Sequence, residues 1–282
     1  MTARSVLKVL ESRPVTEGAG VRLRRAFGHG ETEQLDPFLM LDHFRSSHPR
    51  DYEAGFPFHP HRGIETVTYV LSGRMEHQDS LGNRGSIGPG DVQWMTAGSG
   101  ILHQEMPRVT SEGLHGFQLW VNLPRAKKMM PPRYRDVRSA DILSVGLGPG
   151  AIGRVIAGRL GDRSGPVKDL VVEVGLFEAE LEAGARIAVP APGGHSAFVY
   201  VFEGEGLIGG GGTRVGPRST AVMGAGGMVE LEAGKEGCRC LMAHGAPLNE
   251  PIAWGGPIVM NTKQELDEAF EELRLGTFIR PR

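Results

Sequence analysis

Two short stretches hold most of the side chains able to do chemistry. In "GFPFHPHRGIE", residues 55 to 65, His59 and His61 are one residue apart; in "ILHQEMP", residues 101 to 107, Glu105 follows His103 at the same spacing. Residues two apart in a β-strand project from one face, so each pair would present two ligating groups in one direction. If the two strands are neighbours in a barrel, three imidazoles and a carboxylate meet inside it. That donor set suits a first-row divalent metal, and the absence of cysteine argues against a closed structural zinc site. A six-coordinate iron held this way would keep about two positions open, enough for substrate beside dioxygen. Glu65 is a competing carboxylate. It ranks below Glu105 because Gly63 interrupts the alternation between it and the histidines.

The remaining candidates are weaker. His77 and His115 could line the cavity or orient a ligand, whereas His29, His43 and His48 have no partner spacing and read as solvated loop residues. Cys238 and Cys240 alternate with Arg239, which puts both thiols on one strand face as a pair of buried free cysteines. A disulfide between positions this close would be strained.

The elements that must position these groups are short β-rich runs, among them "ETVTYVLSG", "DVQWMTAG", "HGFQLWVNLP" and "SAFVYVFEGEG", each bounded by Gly, Pro or Asn. Forty-two glycines and 19 prolines in 282 residues are consistent with many tight turns in an all-β protein. One segment, "NTKQELDEAFEELR", reads as a helix over about 262–275, opened by a Thr262/Glu265 capping box and buried through Leu266, Phe270 and Leu273. The proline-rich, charged stretch 123 to 137 reads as a linker. A repeat is also visible: at an offset of 131 "TYVLSG" lies over "VYVFEG", and at 128 "IGPGDVQWMTAG" lies over "VGPRSTAVMGAG". Two tandem β domains follow, 1–130 and 131–282. At these offsets the four ligand positions fall on Pro190, Pro192, Leu231 and Ala233, and His195 falls on Ile64, out of phase with them. One metal per chain is expected, in the first domain.

Composition sets outer limits. With 40% hydrophobic and 23% charged residues and a net charge of −2, the chain lacks the basic excess of a nucleic-acid binder. No run reaches the roughly 18 apolar residues of a membrane span, and the N-terminus does not read as a signal peptide, so a cytoplasmic protein is expected.

With these residues in view, the sequence closely resembles the pirin family of the cupin superfamily. The resemblance is carried by "LDPFLMLDHF" (35 to 44), "GFPFHPHRGIETVTYVLSG" (55 to 73), "GPGDVQWMTAGSGILHQEMP" (88 to 107), "HGFQLWVNLP" (115 to 124) and "GPIVMNTKQELDEAF" (256 to 270), and spans nearly the whole chain. It implies a bicupin: two tandem antiparallel cupin β-barrels with a short C-terminal α-helix. It also implies one metal, usually iron as Fe(II) with other first-row metals as alternatives, held in the N-terminal barrel by His59, His61, His103 and Glu105. Some members open the heterocyclic ring of quercetin-type flavonols with dioxygen. In that reading Glu105 doubles as general base, and Phe56, Phe58, Met95 and Met106 wall a site for a flat aromatic substrate, although plain barrel core explains each of these four equally well. Other members are regulators that bind protein partners, either transcription factors or metabolic enzymes. A third class, a metal-dependent isomerase or hydrolase, is open on fold grounds alone.

Overall fold

The computed structural model describes residues 2–280. Its strands form two antiparallel β-barrel units, and a helix, Lys263–Leu275, lies near the C-terminus. Neither unit is a continuous stretch. The histidine-bearing unit takes residues 14–25 and 38–139 together with the segment from 248 onward; the other takes the N-terminal segment to residue 13, residues 26–37 and 140–247. In the middle of the chain the units divide between residues 139 and 140, and each terminal segment belongs to the unit formed mainly by the other half of the chain. The strand Val6–Glu11 pairs with Ser219–Met223, and the C-terminal helix packs within the histidine-bearing unit.

In the histidine-bearing unit one sheet runs Arg133–Val137, Val92–Thr96, Ile64–Ser72, Leu114–Asn122, Phe38–Ser46 and on through Val21–Phe27 to Arg13–Glu17. A second sheet runs Phe56–His61, Ile101–Arg108, Arg74–Asp79, Arg84–Ile87. Arg133–Val137 belongs to the stretch expected to be a linker. Its prolines end at Pro132, and the five residues after them complete the edge of the sheet against Val92–Thr96. Among its apolar clusters, one gathers around Phe44, Val70, Met75, Ile87 and Leu114, another around Met40, Met95, Ile101, Trp120 and Val259, and a third around Ile258, Met260, Ala269 and Phe278.

The other unit is built on a nine-stranded sheet and one large apolar cluster. Cys238 and Cys240 are buried free thiols in that cluster. Here the strand Arg186–Pro190 pairs with Met228–Gly245 as Phe56–His61 pairs with Ile101–Arg108, and Ile187 faces Leu231 where His59 faces His103. The structural offset is thus 128 on both strands. The counterparts of the two leading histidines are Ile187 and Val189, not the prolines that the 131 offset selects, since the extra residues lie beyond that strand.

The helix begins as its sequence indicates: the Thr262 hydroxyl accepts from the Glu265 N–H, and the Glu265 carboxylate accepts from the Thr262 N–H. Its buried stripe differs by one position. Ala269 is fully buried between Leu266 and Leu273, and Phe270 is 40% exposed.

A buried lysine locks the turn after the histidines. Gly63 has φ +78, and a Cβ there would lie 1.9 Å from the Val259 carbonyl oxygen, so only glycine fits. The Lys128 ammonium donates to Gly63 O (2.9 Å), Val259 O (2.9 Å) and Asn122 Oδ1 (2.6 Å), one acceptor for each of its three hydrogens. Burial pushes its pKa down to about 7, against the opposing charges of Glu250 and Glu265. Between about pH 7 and the ordinary lysine value near 10.4 the folded state therefore binds fewer protons than the unfolded one, and unfolding free energy rises with pH. Lys128→Met is expected to cost about 3 kcal/mol by leaving three acceptors unpaired, and to remove that pH dependence. Urea unfolding of both proteins at about pH 7 and pH 9.5 measures it; an equal slope with pH in the two would overturn the assignment.

Candidate metal centre

The strands Phe56–His61 and Ile101–Arg108 are hydrogen-bonded neighbours with His59 directly opposite His103. Pairing and alternation together bring three imidazoles to one point: ring nitrogens of His59, His61 and His103 lie within 4.8 Å of one another. His61 and His103 are buried, and His59 is half-buried at the rim.

Backbone carbonyls fix two of the tautomers. His59 Nδ1 lies 2.9 Å from Pro57 O, and His61 Nδ1 lies 3.0 Å from Pro257 O. A carbonyl can only accept, so each Nδ1 carries the hydrogen and each Nε2 a lone pair. Those two Nε2 atoms face each other at 3.1 Å. Two lone pairs that close repel unless a cation sits against both. A shared proton is a poor candidate, because burial, and then the neighbouring His59, push the His61 pKa down to about 3. Burial lowers His103 as well, and both of its ring nitrogens are buried with no hydrogen-bond partner among the described residues. Neutral imidazoles with converging, unsatisfied nitrogens are a donor set that fits a first-row divalent metal.

Glu105 lies outside this group of three. Its carboxylate, 1% exposed, accepts from Thr68 Oγ1 at 2.7 Å and from Gln118 Nε2 at 2.7 Å. Those bonds use half of a carboxylate's four acceptor sites. The Gln118 amide is oriented in turn by Trp120 Nε1, which donates to its Oε1 at 3.2 Å, and the Trp120 ring packs edge-on against His61 at 5.0 Å. These three residues escaped the sequence reading. Their signal is polar residues two apart in otherwise apolar strands, Thr66 and Thr68 in "TVTYV", Gln118 and Trp120 in "FQLWVN".

Glu65 points the other way from Thr66 and Thr68. It accepts from Thr96 Oγ1 at 2.5 Å, lies 3.9 Å from Arg133, and is shifted up in pKa by burial. His77 lines the interior opposite Glu105, with Nε2 3.1 Å from Asp136. His115 does not reach the centre: it pairs with His43 at 3.0 Å on the face of its strand away from Gln118. His43 is thus a buried strand residue and not a solvated one. Of the expected apolar wall, Met95 packs in the cluster with Trp120 and Phe56 against the other cluster; Phe58 is 48% exposed, and Met106 alternates outward from Glu105.

Arg62, between His61 and Gly63, anchors the turn from the far side. Its guanidinium donates to Ser99 O (2.7 Å), Glu272 Oε2 (2.6 Å) and Phe278 O (3.0 Å) and stacks 4.1 Å from the Phe278 ring.

Two cupin-type barrels, one of them with three inward histidines that could hold a metal ion, define a bicupin. Comparison with known proteins narrows the class. The Pirin family matches residues 20–121 and the Pirin C-terminal cupin domain residues 176–279, and the chain belongs to the pirin family. A Pseudomonas aeruginosa protein provisionally named as a quercetin 2,3-dioxygenase is 44% identical over 97% of both chains. Pirin from Rattus norvegicus is 40% identical over 97% of this chain and 93% of its own. The crystal structure of a quercetin 2,3-dioxygenase from Acinetobacter baumannii superposes with a TM-score of 0.90 at 36% identity, covering 98% of each chain.

Equilibration with Zn2+ or Fe2+ followed by desalting is expected to leave one ion per chain, and His103→Ala to weaken binding more than about 100-fold. Two tightly held ions per chain would contradict the aliphatic counterparts Ile187, Val189 and Leu231 in the other unit.

Proposed function

We propose that this chain holds one first-row divalent metal, iron(II) in the working protein, and opens the heterocyclic ring of quercetin-type flavonols with dioxygen. The observation that carries the reading is the convergence of three imidazoles on one point beside a buried carboxylate. Its support from relatives is the 36% identity to a quercetin 2,3-dioxygenase over 98% of both chains.

His59, His61 and His103 are the ligands in this reading, and Glu105, two residues from His103 on the same strand face, is the carboxylate of the site. When bound, a metal of this kind supplies Lewis acidity toward a hydroxyl-bearing substrate and a place for dioxygen beside it. The chain supplies orientation and proton handling. Thr68 and Gln118 hold the Glu105 carboxylate in one rotamer, leaving a lone pair on each oxygen for the flavonol hydroxyl proton. The edge of Trp120 sets the plane of His61, and the Pro57 and Pro257 carbonyls hold a hydrogen on each Nδ1, which turns each Nε2 toward the centre.

Iron loaded without air, then mixed with quercetin and oxygen, is expected to take up oxygen and release carbon monoxide, with His61→Ala inactive. Gln118→Leu frees one Glu105 oxygen and is expected to lower kcat about 10- to 100-fold while retaining metal. Absence of flavonol-dependent oxygen uptake by fully loaded wild type would sink the dioxygenase reading and leave the protein-binding one.

A further inference from the structure

Beside the histidines, six polar residues from six strands circle the barrel interior. Glu105 stands opposite His77, His77 bonds Asp136, Asp136 stands opposite Gln93, Gln93 opposite Thr68, and Thr68 opposite Gln118; Thr68 and Gln118 both bond Glu105. Direct cross-strand partners share a face, so the belt closes on itself. On the Glu105 side every member is hydrogen-bonded within the belt. On the opposite side this is not so. Both side-chain atoms of the Gln93 amide, 1% exposed, lack a hydrogen-bond partner among the described residues, and so do His77 Nδ1, Asp136 Oδ1 and the hydroxyl of Tyr134. Tyr134 lies two residues before Asp136 on the same strand face, with its ring 4.9 Å from that of His77.

Buried groups of this kind cost about 1–3 kcal/mol each when left unpaired, and native proteins rarely leave several together. Their chemistry is specific. His77 Nε2–H donates to the Asp136 carboxylate, so Nδ1 is an acceptor; the Gln93 amide offers one donor side and one acceptor side; the phenol does either. A hydroxyl beside a carbonyl or second hydroxyl, carried on a flat ring, satisfies the set. Met95, opposite Tyr134, offers an apolar floor on the same inward row.

We propose that Gln93, His77 and Tyr134 form an oxygen-recognition shelf beside the metal centre, which binds hydroxyl and carbonyl groups of a planar polyhydroxylated aromatic substrate. The shelf sets which flavonol is accepted, while the histidines and Glu105 act on the reacting end. The choice of probe rests on the dioxygenase reading; the shelf itself rests on the unpaired atoms.

The test uses zinc-loaded full-length protein, in which binding is read without turnover. Quercetin is titrated against wild type, Gln93→Leu and Tyr134→Phe by tryptophan fluorescence, with 3-hydroxyflavone, which lacks the outer hydroxyls, as the second probe. Each variant is expected to bind quercetin about tenfold or more weakly and 3-hydroxyflavone as wild type does, with one zinc per chain. Gln93→Leu is expected to unfold at or above the wild-type temperature, because it removes an unpaired buried amide. The proposal is overturned by equal quercetin affinity in all three proteins, which would mean that the shelf holds ordered water only. It is also overturned by a lowered unfolding temperature of Gln93→Leu, which would reveal a structural partner, or by wild type binding no quercetin. Gln93-dependent binding without oxygen uptake by the iron protein would defeat the dioxygenase reading alone; oxygen uptake with Gln93-independent binding would defeat the shelf alone.

Discussion

Two imidazole nitrogens that must both be acceptors face each other at 3.1 Å inside a barrel, and much of the histidine-bearing unit is arranged to keep them there. Without a cation the contact is repulsive. Unfixed rings would relieve it by rotating or by exchanging tautomers, and burial opposes relief by protonation. The Pro57 and Pro257 carbonyls prevent the tautomer exchange, and Trp120 limits rotation of His61. The orientation of these rings is thus set by backbone geometry more than by other ionisable side chains.

That backbone geometry is fixed by two buried cations flanking the ligand turn. Lys128 ties Gly63 to Val259 and Asn122, and Arg62 ties the same turn to the Ser99 carbonyl and to Glu272 and Phe278. Both reach the segment 257–278, whose Pro257 carbonyl fixes His61. Residues nearly 200 positions away in sequence therefore set the orientation of a ligand, which explains why this C-terminal segment belongs to the histidine-bearing unit. Removing either cation would loosen the turn and leave buried carbonyls unpaired.

The parts of this arrangement that follow from period-two alternation were legible in the sequence. The pairs His59/His61 and His103/Glu105 needed only a strand and a neighbour, and the Thr262/Glu265 box needed only its three-residue spacing. What depended on pairing between distant strands was not. Thr68 and Gln118 become partners of Glu105 only through register, and His43 and His115 meet only because their strands are adjacent. The segment 123–137 misled through composition: its prolines and charges suggest a linker, yet it supplies the locking Lys128 and the inward Tyr134. The offset of 131 failed for a similar reason, because a similarity among glycine-rich strands does not say where the extra residues of a repeat lie.

The two units show what a polar centre does to a barrel of this kind. Where the counterpart positions carry Ile187, Val189, Leu231 and Ala233, these side chains belong to one large apolar cluster. Where the histidine-bearing unit carries His59, His61, His103 and Glu105, that interior row is polar, and Glu105 continues it through His77, Thr68 and Gln118. Polar side chains at these positions bury less apolar surface, and the belt adds the desolvation of its polar groups. Lys128, Arg62 and the C-terminal segment close the histidine-bearing unit with hydrogen bonds and a ring stack beside the aliphatic packing of Leu266, Ala269 and Leu273. The contrast has a direction: a polar interior that required this much added support would gain nothing from imidazoles that did no work, whereas a plain barrel already had the aliphatic solution available in the same fold.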